Sequence, residues 1–271
     1  MHTITEIRVD THQKGYYYVD ICGEDFRAAT LHIHEDILVK HGLRKGLEMT
    51  ADELSSIQSE EDDNKSYLVA IHYLSYRMRS VQEMEAYLLK KGFSHRQVYR
   101  TIKRLASEKL LDDGQFADAF VRTRVHLSTK GPERIYRELL RAGVAPSAAR
   151  SSLEVYPFEE QLANAVRYLD KKKAAIRGKR SPAEGANIIR RMLTQRGFSS
   201  QVIEHVLSDY LLFTAADEKQ ALVYQGEKAV QKYKKYTGRT FEQKVKSCLY
   251  RKGFSLPEID SFLRERPEEN N

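Results

Sequence analysis

The stretch that decides the fold is LLKKGFS at residues 88–94, because close copies of it occur three more times. The copies read LLRAGVA at 139–145, LTQRGFS at 193–199 and LYRKGFS at 249–255. Their glycines follow one another at intervals of 51, 54 and 56 residues. Similar segments that recur at a near-constant period are typical of proteins built from stacked structural repeats. The sequence therefore predicts four copies of one unit.

Each copy contains the residues that end one helix and begin the next. Its glycine stands where a helix needs a left-handed residue just past its C-terminus. The four glycines are Gly92, Gly143, Gly197 and Gly253. Ser94 with Gln97, and Ser255 with Glu258, have the spacing of a capping box. In the second copy Pro146 suits the first turn of the next helix, so every copy predicts two helices joined by a tight turn.

The helix before each glycine also has a predicted start. The starting residues are Ser80, Gly131, Ser181 and Thr240. A further helix precedes each pair, over 67–78, 113–128, 158–177 and 215–236. We therefore predict a mainly α fold of four tandem three-helix repeats, which form an elongated curved array after a small β-rich N-terminal domain. The predicted repeats cover residues 63–110, 111–156, 157–212 and 213–271.

Residues 1–62 have the pattern of β structure. The segment YYYVDIC at 16–22 alternates between two faces, as a half-buried strand does. Gly15 and Gly23 mark chain reversals on either side of it, which predicts a three-stranded meander. The segment TADE at 50–53 is a capping box that begins a helix. The acidic run at 60–63 is typical of a linker or a solvated helix surface, and we place the domain boundary there.

The charge is divided unevenly between the two parts of the chain. Residues 1–66 contain 7 Lys/Arg and 14 Asp/Glu, whereas residues 67–271 contain 38 Lys/Arg and 24 Asp/Glu. A basic body of this kind indicates a polyanion or an acidic protein as partner. A surface that is merely rich in Lys and Arg would give the same count.

The motifs that most catalytic sites require are absent. The sequence contains no GxxxxGK[ST], GxGxxG, GxSxG or HExxH motif, which would mark nucleotide, nucleophile or zinc chemistry. His32 and His34 lie two apart on one strand, but no third metal ligand accompanies them. No apolar run approaches the ~18 residues of a membrane helix. We therefore expect a non-enzymatic protein with no cofactor, no metal and no membrane span.

Candidate partner-binding residues lie on the outward faces of the first two repeats. Arg96, Arg100 and Arg104 recur every four residues, opposite the apolar stripe of their helix. Such a row suits phosphate groups or acidic side chains. Compensation of the helix dipole and i,i+4 pairing are the alternative, and they account well for Lys90 and Lys91. The full candidate set is Arg77, Arg79, Lys90, Lys91, Arg96, Arg100, Lys103, Arg104, Arg122, Arg124, Lys130, Arg134 and Arg137.

Three phrases of the sequence resemble the RecX family of recombination regulators. They are YLSYRMRSVQEMEAYLLKKGF at 73–93, LLDDGQFADAFVRTR at 110–124 and KGPERIYRELLRAGV at 130–144. Members of that family are built from tandem three-helix repeats, commonly three. The fourth copy and the β-rich head of this chain depart from the common pattern, and they match the longer members of the family.

The resemblance implies a non-enzymatic protein that binds the filament of the RecA recombinase and lodges in its helical groove. Binding there would change ATP hydrolysis, strand exchange and filament growth, with inhibition as the favoured direction. The resemblance also implies a weaker affinity for single- and double-stranded DNA and a cytoplasmic location. We further expect the protein to be a monomer.

A DNA-binding transcription factor made of tandem helix-turn-helix units is the competing hypothesis. Three-helix repeats of about fifty residues suit that class as well. Against it, the last helix at 256–266 carries Glu258, Asp260 and Glu265 beside its arginines. An array that reads DNA sequence would keep basic recognition helices in every copy. An adaptor that binds RNA or the ribosome is a third class that the charge allows.

Overall fold

The structure is a computed structural model that describes residues 1–23, 28–173, 180–209 and 215–265. The chain divides into two compact units. The first contains Met1–Phe116 and Ala142–Val144, and the second contains Ala117–Arg141 and Ala145–Asn271. Within the described residues, no helix combines the length and the apolar content that crossing a membrane requires.

The head is a four-stranded antiparallel sheet in the order β3-β2-β1-β4. Its strands are β1 (His2–Val9), β2 (Tyr16–Gly23), β3 (Ala28–His34) and β4 (Glu48–Met49). The predicted meander of three strands is confirmed, and the short β4 extends it. Val19 and Ile21 are buried, as the alternating pattern of β2 requires.

Helix α2 runs through the predicted domain boundary. Helix α1 covers Glu35–Lys40, and α2 covers the 26 residues Ala51–Tyr76. The capping box at Thr50 and Glu53 is confirmed, but the acidic run is a helical segment and no linker separates the head from the first repeat. Ile57 packs into the core of the head, whereas Ala70 packs into the core of the first repeat. The side chains therefore change cores within one helix, and independent folding of residues 1–62 stays a prediction.

The first repeat is completed by α3 (Val81–Lys90) and α4 (His95–Ser107). Met84, Leu88, Val98 and Leu105 form its core with Ala70 of α2. The predicted caps are present: the Ser80 side chain accepts from the Glu83 N–H, and Ser94 forms a capping box with Gln97.

The remaining repeats follow the same plan of three helices each. Their helices are α5 (Asp113–Leu127), α6 (Pro132–Arg141), α7 (Pro146–Ser152), α8 (Phe158–Asp170), α9 (Pro182–Arg196), α10 (Ser200–Asp209), α11 (Ala215–Tyr233), α12 (Gly238–Arg251) and α13 (Leu256–Arg264). One predicted helix start was wrong, because α12 begins at Gly238, after Thr237, and Thr240 therefore lies inside it. Helix α8 ends at Asp170, and the end that we predicted at 177 lies outside the described residues.

All four turn glycines adopt the predicted left-handed conformation. Their φ angles are 92° at Gly92, 87° at Gly143, 87° at Gly197 and 89° at Gly253. A residue with a Cβ atom is disfavoured there by about 1–2 kcal/mol. The glycines are therefore required by the backbone of the turn itself.

Three of these turns also contact the start of the second helix of the preceding repeat, and we call each such pairing a turn contact. The hydrogen bonds run from Ser80 Oγ to the Ala142 carbonyl, from the Gly131 N–H to the Arg196 carbonyl, and from Ser181 Oγ to the Lys252 carbonyl. The residues that begin the helices thus have a second use, because they bind the turn of the next repeat.

The turn contacts leave no room for a side chain at the glycine. An added Cβ would lie 2.5 Å from Gln82 Cβ at Gly143, 2.4 Å from the Arg134 backbone nitrogen at Gly197, and 2.4 Å from Ala183 Cβ at Gly253. At Gly92, no described residue other than its chain neighbours places an atom within 4 Å of that position. The first turn is therefore open, and the other three are closed by a neighbour.

Candidate functional site

The candidate cations of the first repeat lie at three places. Arg77 and Arg79 lie between α2 and α3, Lys90 and Lys91 lie at the end of α3, and the rest lie on α4. Those on α4 are Arg96, Arg100, Lys103 and Arg104. The structure therefore places them on or beside the two helices that the first turn joins.

The three-arginine row of α4 is not uniformly free. The Arg100 guanidinium donates to Asp63 Oδ2 of α2 at 2.6 Å and lies 3.3 Å from Ser59 Oγ. Arg104 donates to Glu108 at 2.9 Å, and its guanidinium lies 3.6 Å from the centre of the Tyr67 ring. Both residues already contact groups of the first unit, although their side chains are 40% and 50% exposed, and the partner-facing role of the row stays a prediction.

The candidate cations on either side of α3 also have contacts within the first repeat. Arg77 forms a two-pronged ion pair with Glu83, with N–O distances of 2.9 and 3.0 Å. Arg79 lies over the Tyr73 ring at 3.9 Å, and Lys91 lies 5.6 Å from the Tyr87 ring. A new anionic partner would have to displace the Arg77–Glu83 pair before it could bind there.

In the second repeat, three candidate cations surround one carboxylate. Glu138 of α6 accepts from Lys130 Nζ at 2.6 Å and from Arg124 Nε at 3.1 Å, and Arg134 Nε lies 3.8 Å away. Burial of the carboxylate alone would raise its pKa, but the ion pairs with Lys130 and Arg124 outweigh burial, so the pKa of Glu138 lies below its usual value. Arg137 pairs separately with Glu133 at 3.0 Å. These cations stabilise the repeat.

Four candidates are exposed and have no ion pair, hydrogen bond or ring contact in the part of the chain that the structure describes. They are Lys90, Arg96, Lys103 and Arg122, and we call them the free cations. Arg96 and Lys103 both lie on α4, two turns apart. Of the predicted set, these are the side chains that can meet a partner without breaking an existing contact.

Sequence reasoning missed part of the pairing for a physical reason. Glu108 lies four residues after Arg104, and Glu138 four residues after Arg134, so helical spacing alone could have found these pairs. The partner of Arg100 is 37 residues earlier in the chain. It becomes a neighbour only when α2 packs against α4, and no local pattern announces that.

Three family models match the chain. The first three-helix domain of RecX matches residues 67–105, and the second matches residues 112–153. The third domain matches residues 217–263. The last model thus falls on the fourth repeat of this chain, and the repeat that follows the second model is the additional copy.

Relatives over the whole length give the same result. The Regulatory protein RecX of Bacillus cytotoxicus is 40% identical over 271 residues, covering 99% of this chain and all of the relative. The protein of the same name from Bacillus cereus strain G9842 is also 40% identical over the same length. A crystal structure of regulatory protein RecX matches with a TM-score of 0.66 and 26% identity, over 77% of this chain and all of that chain. The chain therefore belongs to the RecX family of regulatory proteins.

Proposed function

We propose that this protein regulates the RecA recombinase by binding the RecA–DNA filament as a monomer. Binding inhibits ATP hydrolysis, strand exchange and growth of the filament. Membership of the RecX family supports a regulatory role. The observation that carries the mode of binding is the pair of free cations, Arg96 and Lys103, on one exposed face of α4.

The free cations are better contact residues than the paired ones. To bind a new anion, Arg100 would first have to leave Asp63 at 2.6 Å, and that lost ion pair would offset the new one. Arg96 and Lys103 have no such ion pair to lose. Exposed cations on a filament-binding surface also raise the association rate, because they attract an acidic partner over about 10 Å at moderate salt.

Charge reversal at the two residues on α4 tests the proposal. We compare Arg96→Glu/Lys103→Glu with the matched control Lys234→Glu/Arg239→Glu, whose residues are exposed and lie in the fourth repeat. Each protein is titrated into RecA filaments on single-stranded DNA while ATP turnover is followed. We expect the first variant to need about tenfold more protein for half-inhibition, as for a loss of about 1.4 kcal/mol, and the control to match the wild type. Equal inhibition by all three proteins, with helicity intact, would refute the proposed surface.

Titration against bare DNA separates the two possible anions. If the free cations meet phosphates, each lost contact lowers the slope of log affinity against log salt by about 0.9 for duplex and about 0.7 for single-stranded DNA. If they meet acidic side chains of the recombinase, binding to the filament weakens and binding to bare DNA is unchanged. We expect the second result, with weaker binding to bare DNA than to the filament.

A further inference from the structure

The first unit contains a cleft of about 590 Å³ between the edge of the head sheet and helices α2 and α3. Lys14 lines it from the turn between β1 and β2, Lys65 from α2, and Lys91 from the end of α3. The volume lies in the range of small-molecule sites, which is ~300–1,000 Å³. Neither the family models nor the proposed filament contact involves the head side of this cleft.

The cleft is positively charged. Three of its lining residues are lysines, and none of the lining residues is acidic. Within the described residues, Lys14 makes no ion pair, hydrogen bond or ring contact, and the Lys91 ammonium group lies 5.6 Å from the centre of the Tyr87 ring. Lys65 Nζ lies 3.7 Å from Glu61 Oε1 and 3.9 Å from Asp62 Oδ1, which is too long for a hydrogen bond. An anion in the cleft would be attracted by these ammonium groups.

Two carboxylates near the cleft, those of Asp10 and Glu61, are held by other groups and are not among its lining residues. Asp10 lies 2.9 Å from His32 Nε2 and accepts from two backbone N–H groups of its own turn. Glu61 is 3% exposed and accepts from the His34 N–H at 2.8 Å. The hydrogen bond from His34 to Glu61 also joins the end of β3 to α2. It therefore holds the two walls of the cleft together before any ligand binds.

Aromatic rings lie beside the lysines. Tyr87 is stacked on Tyr73 with the ring centres 3.7 Å apart and the planes 6° apart. Tyr16 is stacked on His32 at 4.6 Å. Neighbouring rings thus fix the orientation of both tyrosines of the lining. Tyr16 is 6% exposed, so the partly exposed Tyr87 ring is the one that a ligand can reach. Ordered aromatic rings next to cations are the usual means of holding an unpaired base and its phosphate.

We propose that this cleft binds a nucleotide, with its phosphate between Lys14, Lys65 and Lys91 and its base against the ring of Tyr87. A free nucleoside phosphate and one unit of single-stranded DNA share this chemistry. Duplex DNA does not, because its bases are already stacked and paired. An acidic peptide would satisfy the lysines and leave the rings unused. This inference goes beyond the proposed function, since it requires no recombinase.

Two probes, used without recombinase, test the cleft. They are fluorescein-labelled dT oligonucleotide, followed by anisotropy, and mant-ADP, followed by fluorescence. The variant is Lys14→Gln/Lys91→Gln, and the matched control is Lys45→Gln/Lys171→Gln, which removes the same charge from exposed residues away from the cleft. We expect the cleft variant to bind at least one probe about tenfold more weakly, and the salt slope for dT to fall by about 1.4 for the two lysines.

The pattern of results decides the ligand. Weaker binding of dT alone assigns the cleft to single strands, weaker binding of mant-ADP alone assigns it to free nucleotides, and either supports the proposal. Equal affinity of variant and control for both probes overturns it. It is also overturned if the variant loses only a labelled polyglutamate peptide. As a second measurement that needs no variant, ultraviolet crosslinking of 5-iodouracil oligonucleotide to the wild type should label the peptide that contains Tyr87; labelling confined to other peptides would contradict the site.

Discussion

The turn of the first repeat and the turn of the third repeat have nearly the same sequence but different surroundings. KKGFS at 90–94 and QRGFS at 195–199 place a left-handed glycine before a phenylalanine. Around Gly92 the space is open, whereas Gly197 lies against the backbone of Arg134. Phe93 is partly buried, and Phe198 is 5% exposed. In the first repeat the motif thus forms a helix–helix turn, whereas in the third repeat it forms that turn and also packs against the preceding repeat.

This difference separates two reasons for using glycine. A turn that needs φ near +90° favours glycine wherever it lies, because a Cβ atom is strained there. A turn that also contacts a preceding repeat needs glycine for space, because backbone approaches backbone. Substitutions at the four glycines should therefore fall into two classes, and the size of the effect should follow the neighbour and not the turn sequence.

The largest effect is expected for Gly197→Ala. The new methyl group would lie 2.4 Å from the Arg134 nitrogen, and a backbone atom cannot move aside cheaply. Backbone strain of about 1–2 kcal/mol adds to overpacking of about 1–3 kcal/mol, so we expect a loss of about 3 kcal/mol. Urea unfolding followed by circular dichroism measures it. A loss equal to that of Gly92→Ala would show that the turn contact is not tight.

Gly253→Ala should cost less, and it should be rescued. Its methyl group would lie 2.4 Å from the Ala183 side chain, which can itself be removed. We expect a loss of about 2 kcal/mol. The double variant Gly253→Ala/Ala183→Gly should lose less free energy of unfolding than the sum of the losses of the two single variants, as expected for residues in contact. Additive losses in the same unfolding assay would mean that the two residues do not touch.

The electrostatics of the second repeat give a smaller effect that depends on pH. Glu138→Gln removes the anion that Lys130 and Arg124 share, so we expect a loss of about 1.5 kcal/mol near neutral pH. Because the pKa of Glu138 is below its usual 4.5 in the folded state, its stabilisation is present above that pH and is lost as the pH falls further. Urea unfolding near neutral pH, and again at an acid pH that protonates Glu138, measures this loss.

Glu133→Gln is the control for that experiment, since Glu133 is exposed and pairs with Arg137, which is also exposed. Its effect should stay within about 0.5 kcal/mol at either pH. A difference between wild type and Glu138→Gln that persists in acid that protonates Glu138 in the folded protein would show that lost packing, and not lost charge, destabilises the variant.

The smallest effect is expected for Gly92→Ala. Apart from its chain neighbours, none of the residues that the structure describes has an atom within 4 Å of the new Cβ, so the expected cost is the strain of the left-handed conformation, about 1 kcal/mol. Gln97→Ala is the control, because it removes the capping box of the following helix and leaves the glycine turn unchanged. If Gly92→Ala lowers the free energy of unfolding as much as Gly197→Ala, the first turn must contact something that closes it.

Much of this could be predicted from short-range patterns. The four left-handed glycines, the capping boxes at Ser94 and Ser255 and the strands of the head all depend on residues within a few positions of each other, and all are present. The failures have different causes. Thr240 has the spacing of a helix start, but the chain already becomes helical at Gly238. The acidic run allowed a linker as well as a helix surface, because its partners, such as Lys40 for Glu60, are distant in sequence.

The sequence by itself determined the repeat, its period, the residues that end each helix and the family, because these are properties of local segments and their recurrence. The tertiary structure decided which cations are free, since Asp63 reaches Arg100 only when α2 packs on α4. It also decided which glycines are crowded, and that Asn164 joins the Val125 carbonyl to a Tyr156 hydroxyl whose burial raises the pKa to about 12. Contacts between residues far apart depend on how whole helices pack, and no spacing within one helix encodes that.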